Sequence, residues 1–254
     1  MSYLTIAEHR EFNSVFINGI LIPTDEIGRN LLRFSEPFVL HNPDCEDYPI
    51  TIRGTAFRAL YLGKQFLFAS DHQSKDYEPQ AACIINTPSD KIVTSNVCGF
   101  SNVSPEGGPE HDLRMYDFSE AVTAGALSAN GWFDIQKSML PGEHVAAAVC
   151  VGFPHAGTKL DYARPSIDFA PRAVFGTYKN PISSEYHQFF IKPNLDYEPD
   201  GFSGAPVYGV TLVGKDANLK FAGIVTNGNS GCFYFLDVGL LKMYFDSYFE
   251  NNRV

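Results

Sequence analysis

The 254-residue sequence is short of basic residues, with 19 Lys and Arg against 29 Asp and Glu and a formal net charge of −10. Nucleic-acid-binding proteins need clustered Lys and Arg to contact phosphates, so this balance argues against a nucleic-acid partner and disfavours anionic membranes. No apolar run approaches the roughly 18 residues of a membrane-spanning helix, and the first residues lack the apolar segment of a signal peptide. We therefore expect a cytoplasmic protein without a membrane partner.

Cysteine is also scarce, and its spacing carries no metal signature. The number of cysteines, five, is odd, and no C-x-x-C pair occurs. We expect no metal site, no cofactor and a reduced protein. Cys150 lies in an apolar run and is expected to be a small core residue.

Aromatic residues are abundant, with 21 Phe and 13 Tyr, and glycine and proline are spread through the chain. Few long stretches follow the helical period, so the composition predicts a mostly-β protein. Residues 1–47 are predicted to form an N-terminal extension, and alternating strand patterns begin at residue 48. Apolar residues in 238–249 recur with the spacing of an amphipathic helix at the C-terminus.

A serine between two glycines stands in the stretch Asp200-Gly201-Phe202-Ser203-Gly204-Ala205-Pro206. Glycine permits backbone conformations closed to other residues and close approach of a substrate. Such a turn can direct backbone N–H groups to one point beside the Ser203 hydroxyl, as an oxyanion hole requires. The alternative is a plain tight turn between two strands, because Gly, Ser and Pro are common turn residues.

The order of residues along the chain limits the kind of serine hydrolase. Every histidine precedes Ser203, the seven being His9, His41, His72, His111, His144, His155 and His187. An α/β-hydrolase places its histidine after the nucleophile, so that fold is excluded. The orders His–Asp–Ser and Asp–His–Ser remain.

Several motifs occur in the order found in one known family. They are Gly54-Thr55-Ala56-Phe57, Phe66-Leu67-Phe68-Ala69-Ser70-Asp71-His72, Asp112-Leu113-Arg114-Met115, Gly152-Phe153-Pro154, Gly201-Phe202-Ser203-Gly204-Ala205-Pro206 and Gly223-Ile224-Val225-Thr226-Asn227-Gly228. Over residues 48–250 the chain resembles the trypsin-like (chymotrypsin-fold) serine proteases, in an intracellular bacterial or phage-type form. The resemblance implies an all-β fold of two six-stranded antiparallel β-barrels, covering about residues 48–130 and 131–250, followed by a C-terminal helix.

The resemblance also implies the roles of individual residues. Ser203 would be the nucleophile, His72 the general base and Asp112 the acid that orients it, with Asp117 left open as another choice of acid. The backbone N–H groups of Gly201 and Ser203 would form the oxyanion hole. Substrate would contact the strand and loop residues Tyr197, Glu198, Thr226, Asn227 and Gly228.

Tyr197 takes the place of the pocket-bottom Asp that selects Arg or Lys in this family. Asp196, Glu198 and Asp200 surround it. They either favour a basic side chain or form a solvated acidic loop, and the sequence favours the second reading.

Three residues depart from the family pattern. Phe202 replaces the Asp that pairs with a new N-terminus after activation cleavage in secreted members. Activation by that salt bridge is therefore not available. Gln73 and Pro199 stand where disulfide cysteines often sit, which agrees with a reduced protein.

These observations predict a serine endopeptidase that acts on a protein or peptide substrate, with one or few targets and regulation by an activating partner protein. The alternative is a trypsin-like pseudoprotease, which keeps the fold without turnover and serves as a protein-binding module. The difference depends on whether Phe202 leaves the turn around Ser203 competent for catalysis.

Overall fold

In the computed structural model, the described residues are 13–42, 49–86, 91–94, 97–101, 111–139, 145, 147–161, 166–179, 186–213 and 216–251. The first half contains ten strands and two short helices. They are β1 (Ser14–Ile17), β2 (Ile20–Pro23), α1 (Ile27–Leu32), β3 (Ser35–His41), β4 (Ile50–Tyr61), β5 (Lys64–Ala69), β6 (Ala82–Asn86), β7 (Lys91–Thr94), β8 (Val97–Ser101), β9 (Arg114–Asp117), α2 (Ser119–Thr123) and β10 (Phe133–Asp134).

The second half contains eight strands and the C-terminal helix. They are β11 (Ala147–Gly152), β12 (Lys159–Asp161), β13 (Ser166–Asp168), β14 (Arg172–Lys179), β15 (Tyr186–Ile191), β16 (Pro206–Val213), β17 (Asp216–Asn229), β18 (Cys232–Asp237) and α3 (Val238–Asn251). Single 3-10 turns occupy Thr24–Glu26, Asp71–Gln73 and Pro79–Ala81.

Six antiparallel strands of the second half close into a barrel. The order runs β16-β11-β14-β15-β18-β17, and β16 also pairs with β17, which completes the ring. The first half forms an open sheet in the order β7-β6-β3-β4-β5-β9-β8 among the described strands, which makes it a half-barrel. The expected all-β class with a C-terminal helix is therefore confirmed, with one closed barrel and one half-barrel.

The N-terminal strands belong to both sheets. β3 lies between β4 and β6, and β1 pairs in parallel with β17 at the closed barrel. The reason is their apolar side chains, since Val15, Ile17, Phe38 and Leu40 are all buried. The described part of the predicted extension 1–47 thus packs with the rest of the fold, whereas residues 1–12 and 43–47 lie outside the described residues.

Aromatic side chains join the two sheets through one core. Phe57 on β4 stacks on Phe221 of β17 with ring centroids 4.6 Å apart, and Phe133 lies 5.2 Å from Tyr208 on β16. Each fully buried ring of this size contributes about 1.5–3 kcal/mol relative to exposure to water. The two sheets therefore hold each other in place, and residues from both can form one site.

Helix α3 follows the closed barrel but packs against the first sheet. Its residues Leu241, Tyr244, Phe245 and Tyr248 are buried, and the Phe245 ring lies 4.2 Å from that of Tyr61 on β4. The predicted amphipathic helix is confirmed. None of the helices among the described residues is long and apolar enough to span a membrane.

Three cysteines fall among the residues whose side chains are described, and all three are buried thiols. They are Cys83, Cys150 and Cys232. Cys150 is fully buried, as expected for a core residue, and burial raises the pKa of its thiol. Cys45 lies outside the described residues.

Candidate active site

A cleft of about 480 Å³ is lined by residues from both sheets. The first sheet contributes residues of β4, of the turn after β5 and of the segment just before β9, namely Ile52, Arg53, His72, Gln73 and Asp112. The second sheet contributes the loop after β11, the segment before β16 and residues of β17 and β18. They are His155, Pro199, Asp200, Gly201, Ser203, Val225, Thr226, Asn227, Gly228 and Phe233. The three predicted triad residues thus face one cavity.

His72 lies in the 3-10 turn after β5 and is paired with Asp112. Its ring Nδ1 is 2.7 Å from one oxygen of the Asp112 carboxylate, and its backbone N–H donates to the other at 2.9 Å. The hydrogen bond from His72 to the Asp112 carboxylate raises the pKa of His72, because it favours the charged imidazole. With Nδ1 held by the carboxylate, Nε2 is left to act as the base.

The turn that carries His72 is anchored on both sides. Asp71 forms an ion pair with Arg114 of β9, and Ser74 Oγ lies 2.9 Å from the Tyr116 hydroxyl. Ser70 Oγ donates to the carbonyl of Val225 on β17 at 3.2 Å, which ties the turn to the second sheet. The Asp71 ion pair and the Ser70 hydrogen bond thus attach the backbone that carries His72 to β9 and to β17.

Asp112 is placed by its two buried neighbours. The His111 Nδ1 atom lies 2.6 Å from the Tyr244 hydroxyl of α3, and Leu113 is fully buried. Asp117, the other choice of acid, lies at the far end of β9, where its carboxylate accepts a hydrogen bond from the Tyr248 hydroxyl at 2.6 Å. The structure therefore pairs His72 with Asp112.

The serine loop, which we define as residues 200–205, is the last part of the segment between β15 and β16. Gly201 and Gly204 have φ of +98° and +83°, a region that disfavours other residues. A Cβ on Gly201 would lie 2.6 Å from the Phe153 carbonyl oxygen, and one on Gly204 would lie 2.0 Å from the Thr55 carbonyl oxygen. Both glycines are needed for the loop to approach its neighbours this closely.

Thr55 of β4 is hydrogen-bonded to the serine loop. Its buried hydroxyl donates to the Gly201 carbonyl at 2.7 Å and accepts from the Phe153 N–H at 2.8 Å. Its own backbone N–H donates to the Ser203 carbonyl at 3.2 Å. One residue of the first sheet thus connects three segments of the site.

The amides of the serine loop divide into two groups. The N–H of Phe202 donates to the Pro199 carbonyl at 3.1 Å, and that of Gly204 donates to the Val225 carbonyl at 2.8 Å. The N–H groups of Gly201 and Ser203 make no hydrogen bond to an acceptor among the described residues. These are the two amides predicted to form the oxyanion hole, and they are free to donate hydrogen bonds to a developing negative charge.

The Ser203 hydroxyl donates to the carbonyl of Thr226 at 3.1 Å. Among the described residues it makes no hydrogen bond to His72. The Ser203 hydroxyl must therefore leave the Thr226 carbonyl before it can donate to His72.

Phe202 directs its side chain into the core. The ring is 1% exposed and lies 5.0 Å from that of Phe233 on β18. The side chain at position 202 is therefore an apolar anchor for the serine loop.

The predicted substrate-binding residues fall into two sets. Thr226, Asn227 and Gly228 line the cleft. Tyr197 packs against the hydrophobic core and Glu198 is exposed, and neither lines the cleft. Their contact with substrate stays a prediction, because counting along a loop does not fix the direction of its side chains and the Tyr197 ring packs against the core.

Several cleft residues have no counterpart in the predicted site. His155 and Arg53 line the cleft, as does Phe233, whose ring would lie 2.4 Å from a Cβ on Gly228. Phe233 alternates with Tyr234 along β18, so strand alternation could have indicated an inward side chain there. His155 directly follows the Gly152-Phe153-Pro154 motif, and this position is the signal by which the sequence could have indicated it as a cleft residue.

No protein-family model and no curated protein matches the chain. Among solved structures, human heparin binding protein aligns with a TM-score of 0.55 and 12% identity, covering 87% of this chain and 93% of that one. A double mutant of the same human protein gives a TM-score of 0.54 with the same identity and coverage. A structure from work on the Sesbania mosaic virus VPg protein gives a TM-score of 0.46 at 12% identity, covering 82% of this chain and 93% of that one.

Likeness at this level of identity carries the fold and not the activity. It does not support the expected bacterial or phage subgroup. The chain has a chymotrypsin-like fold.

Proposed function

We propose that this chain is a serine endopeptidase that cleaves peptide bonds through an acyl-enzyme. The observation that carries the proposal is that the hydrogen-bonded His72–Asp112 pair and Ser203 line one cleft. A nucleophile, a base and a group that orients the base are the parts that such chemistry requires. The unengaged N–H groups of Gly201 and Ser203 supply the matching oxyanion site.

The reaction follows from these positions. The Ser203 hydroxyl turns from Thr226 to His72, passes its proton to Nε2 and attacks the substrate carbonyl carbon, forming a C–O bond. The carbonyl oxygen becomes an oxyanion, which the two amides stabilise. His72 then gives the proton to the leaving amine as the C–N bond breaks, and Asp112 stabilises the imidazolium throughout. Water releases the acyl group by the same steps.

The substrate is a protein or peptide, and Thr226, Asn227 and Gly228 are the proposed contacts for it. Asn227 and Gly228 are exposed at the end of β17, where an extended chain can reach their backbone groups. We further propose a cytoplasmic enzyme with one or few targets, controlled by an activating partner protein. The apolar anchoring of Phe202 favours such control over activation by a cleaved N-terminus.

A pseudoprotease is the second candidate. It is favoured by the hydrogen bond of the Ser203 hydroxyl to Thr226 in place of His72. In many enzymes the catalytic hydrogen bond forms only when substrate is bound, so the enzyme remains the better proposal.

A fluorophosphonate probe, which reacts with activated serines, distinguishes the two candidates. We expect wild type to be labelled, Ser203→Ala to lose the label and His72→Ala to react far more slowly. Ser230→Ala, at an exposed turn serine, is the matched control and keeps the label. A folded wild type that is not labelled, alone or with its cellular partners, would support the pseudoprotease. Cleavage of a peptide library by the labelled protein then establishes endopeptidase activity.

A further inference from the structure

The side-chain amide of Gln73 connects the two halves of the candidate active site. Nε2 donates to the carbonyl of Ser203 and to the carbonyl of Arg53 on β4, both at 2.9 Å. Oε1 accepts from the N–H of Ser70 at 2.9 Å. Both amide hydrogens and the amide oxygen are therefore used, and Gln73 is 5% exposed.

The surrounding backbone is shaped to receive this amide. Gly54 and Gly204 lie on either side of it, and a Cβ on Gly54 would be 2.5 Å from Nε2 while one on Gly204 would be 3.1 Å from Oε1. Both glycines have positive φ, at +131° and +83°. A side chain at either position would remove the space that the amide occupies.

The two ends of this connection are the nucleophile and the base. Gln73 directly follows His72, and its amide holds the carbonyl of Ser203 itself. Building on the proposed function, we propose that Gln73 is a positioning residue that sets the distance between Ser203 and His72. It acts through the backbone and takes no part in proton transfer.

The amide chemistry makes the role specific. Only a group with two N–H donors and one acceptor satisfies the two carbonyls and the Ser70 N–H together. A methionine at position 73 has similar length without donors, and a glutamate keeps the acceptor while it places a carboxylate oxygen against two carbonyl oxygens. Each change frees the serine loop from the turn of His72. Misplacement of a reacting group by about 1 Å costs on the order of 10²-fold in rate.

The test compares Gln73→Met and Gln73→Glu with Tyr116→Phe. The control removes the hydrogen bond between Tyr116 and Ser74 in the same turn but does not touch the serine loop. The first readout is the rate of fluorophosphonate labelling of the full chain. The second is hydrogen exchange of the amides of residues 200–205, which requires no activity.

We expect both Gln73 variants to react about 10²-fold more slowly, with faster exchange in the serine loop. Tyr116→Phe should stay close to wild type in both readouts. In Gln73→Met the pH profile of labelling should keep its midpoint, because the His72–Asp112 pair is intact. If Gln73→Met fails to fold, Gln73→Glu carries the same comparison.

Labelling at the wild-type rate in the Gln73 variants overturns the inference, as does equal slowing in Tyr116→Phe. A folded wild type that is not labelled, alone or with its cellular partners, refutes the proposed function instead. The exchange experiment then decides alone, and unchanged exchange in residues 200–205 overturns the positioning role.

Discussion

Replacement of Phe202 tests whether an apolar anchor holds the serine loop ready for catalysis. The ring is 1% exposed, contacts Phe233, and would lie 2.9 Å from a Cβ on Gly152. Leu and Ala at this position remove progressively more of that contact, and Asp places a carboxylate in the buried site. Asp is also the residue type that the resemblance to trypsin-like proteases leads one to expect here, which makes it the most informative of the three.

The magnitudes follow from the burial. Phe202→Ala should lower the free energy of unfolding by about 3–5 kcal/mol, as for other buried Phe residues, and Phe202→Leu by about 1.5 kcal/mol or less. At roughly 2–4 °C per kcal/mol for a chain of this size, the Ala variant should melt about 6–20 °C below wild type. Asp should be worse than Ala at neutral pH, because the described contacts of the ring offer a buried carboxylate no cation.

Thermal denaturation and the fluorophosphonate labelling rate should follow the same order, with wild type first, then Leu, Ala and Asp. Measuring both at a temperature where every variant is folded separates loss of the loop's position from loss of the whole fold. The reasoning is refuted if the Asp variant is as stable as Ala or is labelled faster than wild type. A cation would then lie within reach of position 202, and activation by a salt bridge would again be open.

Three further predictions address the contacts around this loop. Asp112→Asn should lower the pKa of His72, so the acid limb of the labelling profile moves to lower pH, while the plateau falls by about 10⁴-fold; an unmoved limb would contradict the pairing. Thr55→Val keeps the shape of the side chain but leaves the Gly201 carbonyl and the Phe153 N–H unsatisfied. Urea denaturation should therefore show a free energy of unfolding lower by about 2–4 kcal/mol, against about 1 kcal/mol for Thr55→Ser. Equal losses in the two variants would count against the hydrogen bonds. Gly204→Ala should abolish labelling of the fraction of the variant that folds, because the new Cβ would overlap the Thr55 carbonyl. Normal labelling of this variant would show that the loop can move.

Local patterns predicted the parts of the fold that depend on residues near one another in sequence. Helix α3 was predicted because its apolar spacing is visible within one segment. The pairings of β1 with β17 and of β3 with β6 were not predicted. They join residues far apart along the chain, and no short pattern records the partner of a strand.

The candidate site divides in the same way. Ser203, His72 and Asp112 were named from short motifs and their order, and the structure brings all three to one cleft. Tyr197 and Glu198 were named by counting along a loop without a repeating geometry, and neither is among the residues that line the cleft.

Gln73 shows most clearly why sequence patterns stop short of the site. In the sequence Gln73 is notable only because a disulfide cysteine often stands at this position in the proteases that the chain resembles. Its partners are the carbonyls of Ser203, 130 residues further on, and of Arg53, 20 residues back. Backbone carbonyls carry no residue identity, so no pattern of side chains can indicate them. Where a serine loop is held by main-chain acceptors, the residue that holds it becomes visible only after the strands have been paired.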